Sequence, residues 1–310
     1  MRQDVEFKSA GETVRAHLYL PEGAAGPHPV VVMAGGWCYV RELVQPVYAE
    51  QFAANGIAAL VFDYRRLGAS DGTPRQHINP WDQIEDYRNA ITWVSELDEI
   101  DADRLSVWGI SYSGGHALII GATDWRVKNV MSVVPVVDGY VNMRRVHGTT
   151  GFRKLEQAIR EDRVNRYRTG EYGYMAMSTT DVGNELCTWP FPETFEAFNE
   201  LKRTVAPAHE HRNTIASTEM LMNYSVDPFI GRLLDTPVLM VLAQSDDLTL
   251  WDKEMDVFAR IPTAKKQLYV TPTSKHMELY SDQSALEVAA EKCGAWLSGR
   301  LAEVDVPATV

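Results

Sequence analysis

The chain is predicted to be an α/β protein: a mostly parallel central sheet, helices on both faces, and a helical cap insertion. Three observations predict it. Continuous β-branched runs recur along the chain, as expected of strands buried on both faces. Amphipathic segments of helical length alternate with them. The alternation breaks once, over about a hundred residues without a buried strand, which is too long for a structureless loop in a compact domain.

The elements follow in order. Val5 to Lys8 and Val14 to Leu20 read as two strands forming an antiparallel edge. Pro29 to Met33 is the first continuous apolar run, and Ile57 to Asp63, Leu105 to Ile110, Val130 to Val137 and Pro237 to Ala243 repeat its pattern. Lys266 to Val270 is a shorter strand. Helices are expected over Leu43 to Ala54, Trp81 to Leu97, Gly114 to Ala122, Asp252 to Ile261 and Ser284 to Leu301. Between Gly139 and Leu234 the pattern is helical instead, over Phe152 to Tyr167, Thr194 to Thr204 and Ser217 to Tyr224, with Trp189-Pro190-Phe191-Pro192 between pieces. This divides the chain into a core of residues 1–138 and 235–310 and a cap insertion of residues 139–234. The cap belongs over the carboxyl ends of the strands, where open α/β sheets carry their sites.

Composition bounds the partners. The 310 residues are 45% hydrophobic, enough for a sizeable core, and carry a net charge of −12. That balance argues against nucleic acid and anionic membranes. No run reaches the roughly 18 apolar residues of a membrane span. Met1-Arg2-Gln3-Asp4 lacks the apolar core of a signal peptide, and Cys38, Cys187 and Cys293 are odd in number and far apart. A cytoplasmic protein with reduced thiols is expected. No Walker glycine loop, CxxC pair or repeat occurs, and no cofactor or metal is expected. His209-Glu210-His211 reads as a solvated cap segment rather than a metal site. A small-molecule acyl substrate is the expected partner; the sequence does not fix the oligomeric state, and a homodimer is one of the assemblies open to it.

The chemistry is concentrated in Arg104-Leu105-Ser106-Val107-Trp108-Gly109-Ile110-Ser111-Tyr112-Ser113-Gly114-Gly115-His116. An apolar strand runs into small-x-Ser-x-small and then into a helix, the layout of a nucleophile elbow. Ser113 has small residues at the same offsets, but the strand ends near Ile110. Ser111 is therefore the first residue of the turn and the expected nucleophile, with Ser113 a small packing residue at the helix start. A serine hydroxyl needs a base, and the base a carboxylate. His116 lies inside the helix leaving the elbow, and His147, His209 and His211 lie in the cap. His276, on the loop after the last strand in Thr271-Pro272-Thr273-Ser274-Lys275-His276, suits the base. Asp246, Asp247 and Asp138 all preserve the order Ser, Asp, His; Asp246 is preferred because its strand has just ended. The backbone amides of Tyr112 and of Trp37, in Ala34-Gly35-Gly36-Trp37-Cys38, are the expected oxyanion donors. Cys38 is read as a small pocket wall. Were an alcohol the acyl acceptor in place of water, the cap aromatics Trp189, Phe191, Tyr172 and Tyr174 would exclude water and hold the alcohol.

These motifs resemble the α/β-hydrolase family over nearly the whole chain. Phe62-Asp63-Tyr64-Arg65 with Gly68-Ala69-Ser70-Asp71-Gly72, Pro80 to Arg88, the elbow, Val134 to Tyr140 and Thr188 to Pro192 together look like the dienelactone-hydrolase-like branch that includes fungal polyketide transferases. The resemblance implies a Ser111, Asp246, His276 site, and favours Asp246 because Ala243-Gln244-Ser245-Asp246 is a small-x-x-Asp run. Two departures stand out: Gly35-Gly36 where relatives carry His-Gly, and Ser113 where the elbow usually has glycine. The branch holds both hydrolases and acyltransferases. The expected function is a serine hydrolase cleaving an ester, thioester or lactone; the alternatives are transfer of a polyketide-like acyl group to an alcohol, and a noncatalytic small-molecule receptor.

Overall fold

The computed structural model describes residues 1–23, 25–272 and 275–304. Its centre is an eight-stranded sheet of order β1-β2-β4-β3-β5-β6-β9-β10. The strands are β1 (Arg2–Ser9), β2 (Glu12–Tyr19), β3 (His28–Ala34), β4 (Ala58–Phe62), β5 (Ile100–Ile110), β6 (Asn129–Val133), β9 (Val238–Ala243) and β10 (Lys266–Thr271). β1 and β2 form an antiparallel hairpin and β2 runs antiparallel to β4; every other pairing is parallel. All residues of β3, β4, β6 and β9 are buried, so both faces of the sheet are covered. The covering helices include α1 (Gln45–Ala54), α2 (Pro80–Val94), α3 (Tyr112–Thr123), α9 (Trp251–Arg260), the short α10 (Glu278–Ser281) and α11 (Gln283–Val304), with α1 packed on α11 and α2 on α3. Among the described residues no helix is long and apolar enough to cross a membrane.

One strand ends early. The apolar run expected as strand to Val137 pairs only as far as Val133. Val134 then takes φ +36°, and Val136 donates its amide to the Ser111 carbonyl at 3.0 Å. The run stays buried, but past Val134, whose amide still reaches Val241 of β9, it leaves the sheet: Val137 accepts from the Val226 amide and Val136 bonds Ser111, just before α3. Glycines permit this: a Cβ on Gly115 would stand 2.3 Å from the Val136 carbonyl oxygen.

The 139–234 segment contains more than the expected helices. It comprises α4 (Gly139–Val146), α5 (Gly148–Thr169), α6 (Pro192–Thr204), α7 (Ile215–Met222) and α8 (Asp227–Ile230). A two-stranded antiparallel sheet, β7 (Tyr174–Ala176) with β8 (Arg212–Thr214), was not expected. Each of its strands has three residues, too few to show a period of two. The loop after β4 holds this segment: Thr214 donates its amide to the Gln76 carbonyl at 3.0 Å, and the Ser217 hydroxyl accepts from the Ile78 amide at 2.7 Å.

Asp86 gives the Phe62 to Arg65 and Pro80 to Arg88 runs a physical link. Its carboxylate accepts from the Ser9 hydroxyl and from the Arg65 side chain, and from the Arg65 amide at 3.0 Å, joining β1, the end of β4 and α2. Both partners of this ion pair are buried. Removing one leaves an unpaired buried charge. Asp86→Ala should therefore lose about 3–5 kcal/mol of stability, read from urea unfolding midpoints at constant m.

Candidate active site

β5, β6, β9 and β10 run parallel, so their carboxyl ends share one edge of the sheet, and the three expected side chains emerge there. Ser111 follows β5 directly with φ +58° and ψ −119°, a conformation that side-chain-bearing residues rarely adopt. Its amide donates to the Val133 carbonyl at 2.8 Å, and its carbonyl accepts from Gly114 at 2.9 Å. The turn is tight enough that a Cβ on Gly109 would stand 2.0 Å from the Ser113 carbonyl oxygen. Ser113 is fully buried, donates its hydroxyl to the Ala34 carbonyl at 2.7 Å, and accepts from the Ile110 amide at 2.8 Å. The serine that replaces the usual glycine thus ties the end of β5 to the end of β3. It makes no helix cap.

His276 and Asp246 are both buried, and His276 Nδ1 lies 2.8 Å from Asp246 Oδ2. Asp246 Oδ1 accepts from the amides of Leu248 at 3.0 Å and Thr249 at 2.8 Å, which fixes the carboxylate's direction. Among the described residues His276 Nε2 has no protein partner, so it is the ring nitrogen left to exchange a proton. Asp247, one residue on, is exposed. Asp138 caps α4, accepting from Val141 at 3.0 Å. His116 is buried between the Tyr224 hydroxyl at 3.0 Å and Gln83 at 2.9 Å, and burial pushes it down to about 3. His147 contacts the Thr188 carbonyl at 3.0 Å. Thr273 and Ser274 of the His276 loop lie outside the described residues.

A second acid, which no motif marks in the sequence, stands behind the pair. Glu254, on α9, is fully buried and accepts from the Thr249 hydroxyl at 2.9 Å, and that hydroxyl lies 3.2 Å from His276 Nδ1. Burial, and then the nearby Asp246, push the Glu254 carboxyl well above its usual range. The neutral form is favoured, so Asp246 does not share the site with a second negative charge. The spacing of Asp246 and Glu254 was the only signal in the sequence, and it is common at helix starts.

The Ala34 to Cys38 loop lies against the elbow. A Cβ on Gly36 would stand 2.9 Å from that of Ser111, and one on Gly35 would fall 1.8 Å from the Tyr39 ring. Tyr39 therefore occupies the room that a side chain at position 35 would need. Among the described residues, neither the Trp37 amide nor the Tyr112 amide, the first of α3, has a protein acceptor. The Trp37 indole donates to Asn213 at 3.0 Å. A cavity of about 20 Å³ adjoins Ser111 and His276, and Trp37, Trp189, Phe198 and Met177 form part of its wall.

Three expectations about this region are corrected. Cys38 is not in the cavity wall; it is buried, with its thiol donating to the Arg212 carbonyl at 3.3 Å. Of the four cap aromatics only Trp189 reaches the cavity: Tyr172 packs on His77 and Tyr174 is partly exposed, donating to the Arg75 carbonyl. His209 is not solvated. It is buried, 3.0 Å from the Cys38 carbonyl and 3.1 Å from His211, whose other nitrogen meets the Ser178 hydroxyl at 2.7 Å. The polar His-Glu-His spelling hides a histidine pair that props the loop carrying Trp37.

The fold defined here is that of the α/β hydrolases. The crystal structure of the α/β hydrolase GrgF from Penicillium sp. sh18 aligns with a TM-score of 0.81 at 23% identity, covering 97% of this chain and 99% of that one. Within that class, the X-Pro dipeptidyl-peptidase (S15) family matches residues 10–278, and the chain belongs to it. It is 30% identical to the thiohydrolase aneE of Aspergillus aculeatus over 88% of this chain and 86% of the relative. It is 28% identical to the acyltransferase drtE of Aspergillus calidoustus over 92% of this chain and 91% of the relative. Family and relatives support hydrolase or acyltransferase activity on this fold.

Two outcomes follow from the buried polar groups. A carboxyl raised in the folded state makes stability fall as pH rises from the unfolded value, near 4.3, towards the folded one. Glu254→Gln removes that loss, so its advantage over wild type should grow by about 1 kcal/mol per pH unit above pH 5 in denaturation measured at several pH values. Ser113→Ala should cost about 1–3 kcal/mol by leaving the Ile110 amide without its acceptor, measured in the same way, while the Ser111 hydroxyl remains available.

Proposed function

We propose that the chain is a serine hydrolase that cleaves an ester, thioester or lactone through an acyl-enzyme on Ser111. The observation that carries this reading is the buried His276–Asp246 pair at 2.8 Å, at the same sheet edge as a serine held at φ +58°. In this reading His276 Nε2 takes the Ser111 proton as Oγ attacks the acyl carbonyl, and Asp246 steadies the imidazolium. The amides of Trp37 and Tyr112 receive the oxyanion. His276 then protonates the leaving group, and a water activated by the same nitrogen releases the acid. The cavity wall supports a neutral acyl group: among its described residues there is no carboxylate to hold the ammonium end of a dipeptide.

The 139–234 segment acts as the cap in this proposal. A cavity of about 20 Å³ has room for about one water and for no acyl chain, so Trp189, Phe198 and Met177 must give way as substrate enters. The same apolar wall favours a second reading, in which an alcohol replaces water as acyl acceptor. The names of the thiohydrolase and acyltransferase relatives are in keeping with the two outcomes.

Ser111→Ala should lower turnover of a thioester or p-nitrophenyl ester by on the order of 10⁶-fold and abolish fluorophosphonate labelling. Near-full activity in that variant would show that another residue attacks. With alcohols present, Trp189→Ala should lower the ratio of ester to free acid by admitting water; free acid alone from wild type, whatever alcohol is supplied, rejects transfer.

A further inference from the structure

Tyr280 shares the cavity with Ser111 and His276 and has no part in the mechanism above. It lies one helical turn beyond His276, on α10, with its amide donating to the Met277 carbonyl at 3.1 Å. Its ring stacks on the His276 imidazole, with centroids 5.5 Å apart and planes 27° from parallel. Edge-on contacts to Tyr39 at 5.8 Å and tilted packing on Phe198 at 5.7 Å hold it from the other sides. The ring therefore has little freedom, and burial in the wall it shares with Ser111 and His276 bears on the ionisation of its phenol. Burial pushes that ionisation above its ordinary value, so the group stays an O–H donor across the working range of a histidine base. Packing alone would be served by phenylalanine; a hydroxyl buried here costs desolvation unless it finds a partner.

We propose that Tyr280 is a further catalytic residue, donating its phenolic O–H to Ser111 Oγ when that oxygen carries charge. This rests on Ser111 being the nucleophile. In acylation His276 Nε2 takes the Oγ proton while the new C–Oγ bond forms. In deacylation water attacks the acyl carbon and gives a proton to His276. The C–Oγ bond then breaks, its electron pair returns to Oγ, and His276 restores the proton. The phenol keeps its own proton throughout. Its hydrogen bond stabilises Oγ as attacking and as departing oxygen, with the larger effect in deacylation, where Oγ must leave.

The full-length chain and a p-nitrophenyl ester test this. Tyr280→Phe keeps the ring and its stacking, so Tm should stay near wild type, while KM should fall along with kcat as deacylation becomes the slower step. Its kcat should fall by about 10- to 100-fold, the loss of one hydrogen bond to a charged oxygen. Deacylation should slow more than the burst, so that mass spectrometry finds acylated Ser111 accumulating. Tyr280→Gln, which restores a donor without the ring, should exceed Tyr280→Leu in kcat. A Phe variant whose kcat and deacylation rate stay within twofold of wild type overturns the proposal. Fluorophosphonate mapping of wild type separates the two readings: a label on Ser111 with an unchanged Phe variant rejects Tyr280 alone, and a label elsewhere rejects the nucleophile and Tyr280 together.

Discussion

Ser111 is held at φ +58° between the last residue of β5 and the first turn of α3, and most of the site takes its position from that one strained residue. Such a backbone costs of order 1–3 kcal/mol and persists only where its surroundings over-determine it. Here the surroundings come from three directions. Val133 and Val136, at and beyond the end of β6, bond its amide and carbonyl. Gly109 lets the Ser113 backbone close over the strand, and the Ser113 hydroxyl binds β5 to the end of β3. Gly36 lets the next loop press against the Ser111 side chain. The early end of β6 and the glycines at 36, 109 and 115 are thus consequences of one turn, not separate features.

His276 is fixed from both sides by different means. On one side Asp246 is aimed by two backbone amides, and the Thr249 hydroxyl joins it to the neutral Glu254. On the other side the Tyr280 ring stacks against the imidazole at a 27° angle. Polar direction comes from the β9 side and apolar confinement from α10. A buried imidazole needs both to hold one orientation, since a ring free to turn would lose the tautomer that leaves Nε2 open.

The loop carrying Trp37 is braced by the 139–234 segment through Asn213 on the indole and His209 on the Cys38 carbonyl. The same segment supplies Trp189, Phe198 and Met177 to the cavity wall. Any displacement of that wall is therefore felt by the loop that lies against Ser111.

The sequence by itself determined the parallel sheet, the turn at Ser111 and the order of a serine, an acid and a histidine, because each is written in neighbouring residues: β-branched runs, small residues two away from a serine, acids and a histidine just past strand ends. It also left Asp138, Asp246 and Asp247 in competition, and only the tertiary structure separated them, placing one at a helix cap, one against His276 and one in solvent. The three-residue strands β7 and β8, the burial of His209, the Thr249–Glu254 branch and the place of Tyr280 had no periodic signature to read. They arise from contacts between segments up to about 170 residues apart, such as His209 on Cys38. Local pattern states which face of an element is apolar. Which polar atoms meet across the sheet edge is decided only when the chain has folded and every buried donor and acceptor must find its partner.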